Sequence, residues 1–180
     1  MNYDKSNWEI LSTESGPNLK LFDVEYEYLK HKTSGHETKV VRLNSADSCN
    51  VIAITPDQKV VMTRQFRFGV NYETLEIPGG FVEAGEDPAD AVKRELEEET
   101  GYVSDQWIYL GKMPSNPVFQ NSFIHHYVAY DAKAAGTVNW DDSEEIELEF
   151  VPVSEIKNGL LSGKFEHPHT VSAFVFLPDL

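Results

Sequence analysis

The sequence predicts a mixed α/β protein, and three observations carry that expectation. Short runs with strand periodicity dominate the first half, a capped amphipathic helix stands near the middle, and strands followed by two short helices complete the chain. The 180 residues suffice for one domain with a substantial core plus an N-terminal addition.

The elements follow in order. In LFDVEYEYL, residues 21–29, Phe22, Val24, Tyr26 and Tyr28 alternate with Asp23, Glu25 and Glu27, the period of a half-buried strand. HKTSGHE makes a polar turn and TKVVRL returns, so residues 1–48 are expected to form an antiparallel β extension ahead of a main domain at 49–180. NVIAITP and KVVMTRQFRF read as strands joined by a turn at Pro56-Asp57-Gln58, and TLEIPGGFVE as the next strand. Asp87 suits an N-cap, Pro88 the first helical position and Gly101 the C-terminal cap, so a helix is expected from about 88 to 100. DQWIYLGKM, SFIHHYVAYDA and EIELEFVPV then read as strands, Val153 to Leu161 as a short helix and His169 to Leu177 as a last one.

Composition narrows the function classes. Thirty acidic against 15 basic residues give a formal charge of −15, which argues against a nucleic-acid duplex or an anionic membrane as main partner. The single cysteine, Cys49, excludes an intrachain disulfide and fits a reducing compartment, so a cytoplasmic location is expected. No basic-then-apolar leader opens the sequence, and no run approaches transmembrane length.

Part of the acidic excess is concentrated on the central helix. Glu95, Glu98 and Glu99 stand at i, i+3 and i+4 and share one face, while Ala89, Val92 and Leu96 mark an apolar face suited to packing on a sheet. Glu97 points elsewhere, to solvent. Like charges this dense repel, and a hard divalent cation would offset the repulsion.

From Gly80 to Tyr102 the sequence resembles the Nudix box, G-x5-E-x7-R-E-U-x-E-E-x-G-U, where U is a bulky apolar residue. Gly80, Glu86, Arg94, Glu95, Leu96, Glu98, Glu99 and Gly101 all match at the required spacing, and Tyr102 is the one loose match. The resemblance implies an α/β/α sandwich around a mixed sheet and hydrolysis of a nucleoside diphosphate linked to another group. It implies Mg2+, with Mn2+ as an alternative, held by Glu95, Glu98, Glu99 and the carbonyl of Gly79. Arg94 and Glu86 would brace the loop against the helix. A general base would come from the acidic stretch 139–149, with Glu144 the first choice and Asp142 and Glu145 behind it.

Three further features are similar to the ADP-ribose pyrophosphatase branch. Arg67, in RQFRFGV, stands where relatives place a substrate-contacting arginine; Glu76 lies in LEIPGG; and Pro117 falls sixteen residues after Gly101. Arg64 joins Arg67 as a planar fork suited to a diphosphate. The run NPVFQN, residues 116–121, departs from the Pro-Gly followed by a small polar residue usual in that branch, and the second glycine of PGG replaces an alanine. The implied protein is a homodimeric pyrophosphohydrolase that cleaves ADP-ribose or a related nucleoside diphosphate sugar. The alternatives are another diphosphate, such as GDP-mannose or a dinucleotide, and a non-catalytic nucleotide sensor; the intact glutamates disfavour the sensor.

Overall fold

The computed structural model describes residues 7–139 and 145–177. Its strands are β1 (Trp8–Asn18), β2 (Asp23–His31), β3 (Glu37–Asn44), β4 (Ser48–Ile54), β5 (Lys59–Arg67), β6 (Tyr72–Glu76), β7 (Gly79–Phe81), β8 (Tyr102–Val103), β9 (Gln106–Pro114), β10 (Phe123–Tyr130), β11 (Lys133–Ala134) and β12 (Ile146–Pro152). The helices are α1 (Pro88–Thr100), α2 (Val153–Ser162) and α3 (Pro168–Phe176). None of the described helices is long and apolar enough to cross a membrane.

Two compact units divide the chain. One holds the N-terminal residues through Ser45 together with Pro114–Ser122; the other holds Ala46–Met113 and the chain from Phe123 onward. In the first, β1, β2 and β3 form an antiparallel sheet in that order. The sequence pattern missed β1, whose residues are nearly all exposed and include Gly16 and Pro17; a solvated edge strand carries no alternation to read. The expected polar face of β2 also differs. Glu27 is its most buried residue, held 2.7 Å from Arg42 of β3, while Tyr26 and Tyr28 cover the Lys39 ammonium at 4.0 and 5.1 Å. Residues 114–122 join this unit through backbone bonds: the Leu43 N–H donates to the Phe119 carbonyl, and the Asn121 N–H to the Leu43 carbonyl.

The second unit is an α/β/α sandwich. Its mixed sheet runs β12-β5-β4-β10-β9, with β6 on β5 and β7 on β4. β4 and β10 are parallel, whereas β5 pairs antiparallel with β4, β6 and β12. Alternate residues of the central strands feed two cores. Val51, Ala53 and Val61 pack on Ala91, Val92 and Leu96 of α1, while Ile52, Ile54, Val60 and Met62 pack on Ile156 of α2 and Ala173 and Phe174 of α3. Burial on both faces explains why β4 reads as an almost unbroken apolar run.

One detail positions the site. β4 and β5 pair only through Ala53–Val61 and Ile54–Val60, then separate. β6 follows β5 as far as Glu76, which lies opposite Thr63; the chain crosses at Ile77-Pro78; and β7 follows β4, with Gly79 opposite Asn50. The run expected as one strand is therefore two, split at a proline that cannot donate to a ladder.

Candidate active site

The helix that carries the acidic residues is built as its sequence predicts. The Asp87 side chain accepts from the Ala89 N–H at 2.8 Å, Pro88 opens the helix, and Gly101 closes it in the left-handed region at φ 69°. Ala91, Val92 and Leu96 have no exposed surface, which fixes the rotation of the helix and turns Glu95, Glu98 and Glu99 toward β7 and its loop.

Arg94 organises that face. Its Nε and Nη2 donate to the two carboxylate oxygens of Glu86, each at 3.1 Å; Nη1 donates to Glu95 at 2.8 Å and to Glu98 at 3.0 Å; and Nη2 also donates to the Phe81 carbonyl at 3.2 Å. All five guanidinium N–H groups thus have a partner, and the fork joins loop to helix. These bonds, led by those to Glu86, raise the Arg94 pKa despite the opposing effect of burial. The same contact holds the Glu86 carboxyl below its ordinary value.

Gly79 and Gly80 bring backbone against this face. The Gly79 N–H donates to Glu99 at 3.0 Å, and Glu99 is only 6% exposed. A Cβ on Gly79 would lie 2.2 Å from the Cys49 carbonyl, and one on Gly80 would lie 2.5 Å from the Glu95 carboxylate. At Gly79 a side chain would strike backbone, whereas at Gly80 it would strike the end of the Glu95 side chain. Cys49 lies buried beneath Gly80, and burial pushes its thiol pKa up to about 12, so it is an inert packing residue.

The other expected site residues separate into groups. Arg67 meets Glu76 in a two-pronged pair at 2.6 Å for each bond; Glu76 is 3% exposed and also receives the Thr74 hydroxyl. Burial raises the Glu76 pKa most strongly, yet Arg67, His167 and Thr74 together hold it below the ordinary value. Arg64 lies three residues from Arg67 on one strand and so faces the opposite side, where it pairs with Glu149 at 2.7 Å beside Lys164. Pro117 belongs to the other unit. Glu145 is exposed just before β12, and Asp142 and Glu144 lie outside the described residues. Glu97, expected in solvent, accepts from the Thr137 N–H at 3.3 Å and packs where a Gly136 side chain would stand.

Residues 45–174 match the family model of the NUDIX domain. The chain belongs to the Nudix family. The Methanol dehydrogenase activator of Bacillus methanolicus is 35% identical over 164 residues, spanning 91% of this chain and 86% of that protein. The ADP-ribose pyrophosphatase of Bacillus subtilis (strain 168) is 32% identical over 142 residues, 79% of this chain and 72% of that one. A crystal structure of an ADP compounds hydrolase superposes with a TM-score of 0.85 at 23% identity, covering 95% of this chain and 92% of that one, and so shares the Nudix fold.

The donor set of the Nudix helix fits a hard divalent cation in chemistry. Glu95 and Glu98 both place an oxygen within 3.0 Å of the same Arg94 nitrogen, so two carboxylates already share one cationic point. Among the described residues, no three acidic, histidine or cysteine side chains converge as they stand. Glu99 is turned to the Gly79 N–H, and Glu95 and Glu98 to Arg94.

Sequence reasoning missed one polar cluster in this unit. Asn50, His126 and Ser172 come from β4, β10 and α3 and meet in the interior; His126 has no exposed surface. Their separations of 76 and 46 residues leave no local signature.

Proposed function

We propose that this protein hydrolyses the diphosphate bond of ADP-ribose or a related nucleoside diphosphate sugar, giving a nucleoside monophosphate and a sugar phosphate. The observation that carries the reading is the Arg94 fork, which gathers Glu86, Glu95, Glu98 and the Phe81 carbonyl on one face, beside Glu99 and the Gly79-Gly80 strand. The name of the B. subtilis relative, an ADP-ribose pyrophosphatase, supports the substrate class.

Glu95, Glu98 and Glu99, with the Gly79 carbonyl, would hold Mg2+ or Mn2+. Such an ion, when bound, neutralises phosphate oxygens and acidifies water. The remaining roles fall to the chain itself. Arg94 keeps the glutamates on one face. Glu76 presents the Arg67 guanidinium in a fixed plane, ready for an anionic substrate. A carboxylate of the 139–149 stretch, Glu144 first and Asp142 or Glu145 otherwise, takes the proton of the attacking water. The water oxygen bonds to one phosphorus, the bridging P–O bond breaks, and the bridging oxygen leaves with the other phosphate. Arg64 and Pro117 are further candidates for substrate contact. The reading carries with it a cytoplasmic homodimer acting on a free nucleotide, not on a nucleic-acid duplex or a membrane.

The test is a hydrolysis panel with Mg2+ or Mn2+ and identified products, covering ADP-ribose, other nucleoside diphosphate sugars including GDP-mannose, dinucleotides and nucleoside triphosphates. ADP-ribose should yield AMP and ribose 5-phosphate, and Glu95→Gln or Glu99→Gln should slow this by about a hundredfold or more with the fold retained. Turnover of another class alone would move the substrate, and no turnover of any compound would favour a nucleotide sensor.

A further inference from the structure

Three elements, α3, β4 and α1, hold the polar groups of the crossing segment Glu76–Gly80. The Ile77 N–H donates to Thr170 Oγ1 of α3 at 3.2 Å, and the Pro78 carbonyl accepts from the Val51 N–H of β4 at 3.0 Å. The Gly79 N–H donates to Glu99 of α1 at 3.0 Å, and the Gly80 carbonyl faces the Cys49 thiol at 3.8 Å. Glu76, at the start of the segment, lies 3.6 Å from His167, which stands at the N-cap position of α3. Two of these partners, Thr170 and His167, belong to the beginning of α3, far outside the Nudix box.

The same turn of α3 is tied to β4 directly opposite Gly79. Asn50 Nδ2 donates to the His169 carbonyl at 3.0 Å, which leaves its Oδ1 to face His126 Nδ1 at 2.7 Å. A carbonyl cannot donate, so the amide orientation is fixed and Nδ1 carries the ring proton. Nε2 then bears a lone pair and faces the Ser172 hydroxyl at 3.2 Å; that hydroxyl's one proton lies between two acceptors, Nε2 and the His169 carbonyl at 3.0 Å. Asn50 in turn has no slack against the segment, because its Cα and Cβ lie 2.7 Å from where a Gly79 Cβ would stand. Apolar contacts of Ala173 and Phe174 would keep α3 on the sheet while allowing it to slide. Directional bonds at both ends of the segment remove that freedom.

We propose that the first turn of α3 is a positioning element for residues 76–80: Thr170 holds Ile77 directly, and the Ser172–His126–Asn50 chain holds the strand beneath Gly79. The proposal rests on the reading of Glu76 and Gly79 as parts of the active site. Thr170, Asn50, His126 and Ser172 are positioning residues; none is placed in contact with substrate or metal.

The decisive variant is Thr170→Val, which keeps the branched shape and removes the acceptor of a buried N–H; Thr170→Ser is the conservative control. Amide hydrogen exchange, read residue by residue on the whole chain, should rise about tenfold at Ile77, Gly79 and Gly80 in Thr170→Val, remain unchanged in β12 and α2, and return to near wild type in Thr170→Ser. In the ADP-ribose assay, kcat should fall about tenfold in the valine variant with a smaller change in KM, and recover in the serine variant. Unchanged exchange at 77–80, or an equal rise throughout the sheet, would overturn the proposal and reduce the turn to ordinary packing. Should the valine variant not fold, Ser172→Ala reads the same amides, with raised exchange at 79–80 supporting the proposal and wild-type exchange overturning it. A wild-type protein inactive on ADP-ribose would leave the exchange result standing and defeat only the substrate reading.

Discussion

Acid should weaken this fold through His126. The ring has no exposed surface, and burial, reinforced by His169 and His125, lowers its pKa from 6.5 to about 4. Below pH 6.5 the unfolded chain takes up a proton that the folded protein refuses. Stability from this group is therefore complete above about pH 6.5 and is lost as the pH falls toward 4. At 1.36 kcal/mol per pKa unit, the full loss is about 3 kcal/mol, a large part of the stability of a small domain. Urea unfolding followed by circular dichroism at pH 7 and pH 4 measures it, with His126→Gln as the comparison. Glu76 and His167 also favour folding less at low pH, but they are present in both proteins and cancel in the difference. The wild-type protein should lose about 3 kcal/mol more than the variant between the two pH values. Equal losses would show that His126 is not held neutral by the fold, and the proton assignment along the Asn50–His126–Ser172 chain would fail with it.

Three other substitutions test positioning and packing. Gly80→Ala places a methyl group 2.5 Å from the Glu95 carboxylate, the movable end of a side chain, so the fold should survive while Mg2+-dependent hydrolysis falls about tenfold or more. Gly79→Ala meets the Cys49 backbone at 2.2 Å instead and should cost about 1–3 kcal/mol in a urea titration; wild-type stability would refute the close approach. Arg94→Lys replaces a five-donor fork with a single ammonium and should lower the Tm by about 5 °C, and an unchanged melting curve would show that the fork bears no strain between loop and helix.

The sequence is most legible where structure is local. Asp87, Pro88 and Gly101 act on neighbours within one turn, so the limits of α1 could be read directly. The unbroken apolar runs of β4 and of Val60–Met62 in β5 likewise report burial against both cores. What could not be read depends on distant partners. Glu97 looks solvated from its helical angle, but Gly136 and Thr137 return against it some forty residues later. Arg64 and Arg67 look like a pair in sequence, yet strand geometry sends them to opposite faces and different carboxylates. His126 gave no sign because its meaning lies in partners from two other elements.

The Arg94 fork also acts as a ruler. Its reach is set by one rigid planar group, and it must touch Phe81, Glu86, Glu95 and Glu98 at once. An inserted or deleted residue between Phe81 and Arg94 would shift the loop acceptors by about 3.5 Å, more than a hydrogen bond can stretch. The interval between the glycine turn and the helix is therefore closed to changes of length, while the identities of Glu83 and Ala84 within it, which the fork does not touch, are open to change. Length there is a physical constraint in its own right, and it is why a motif written largely in blanks can still be read in a single sequence.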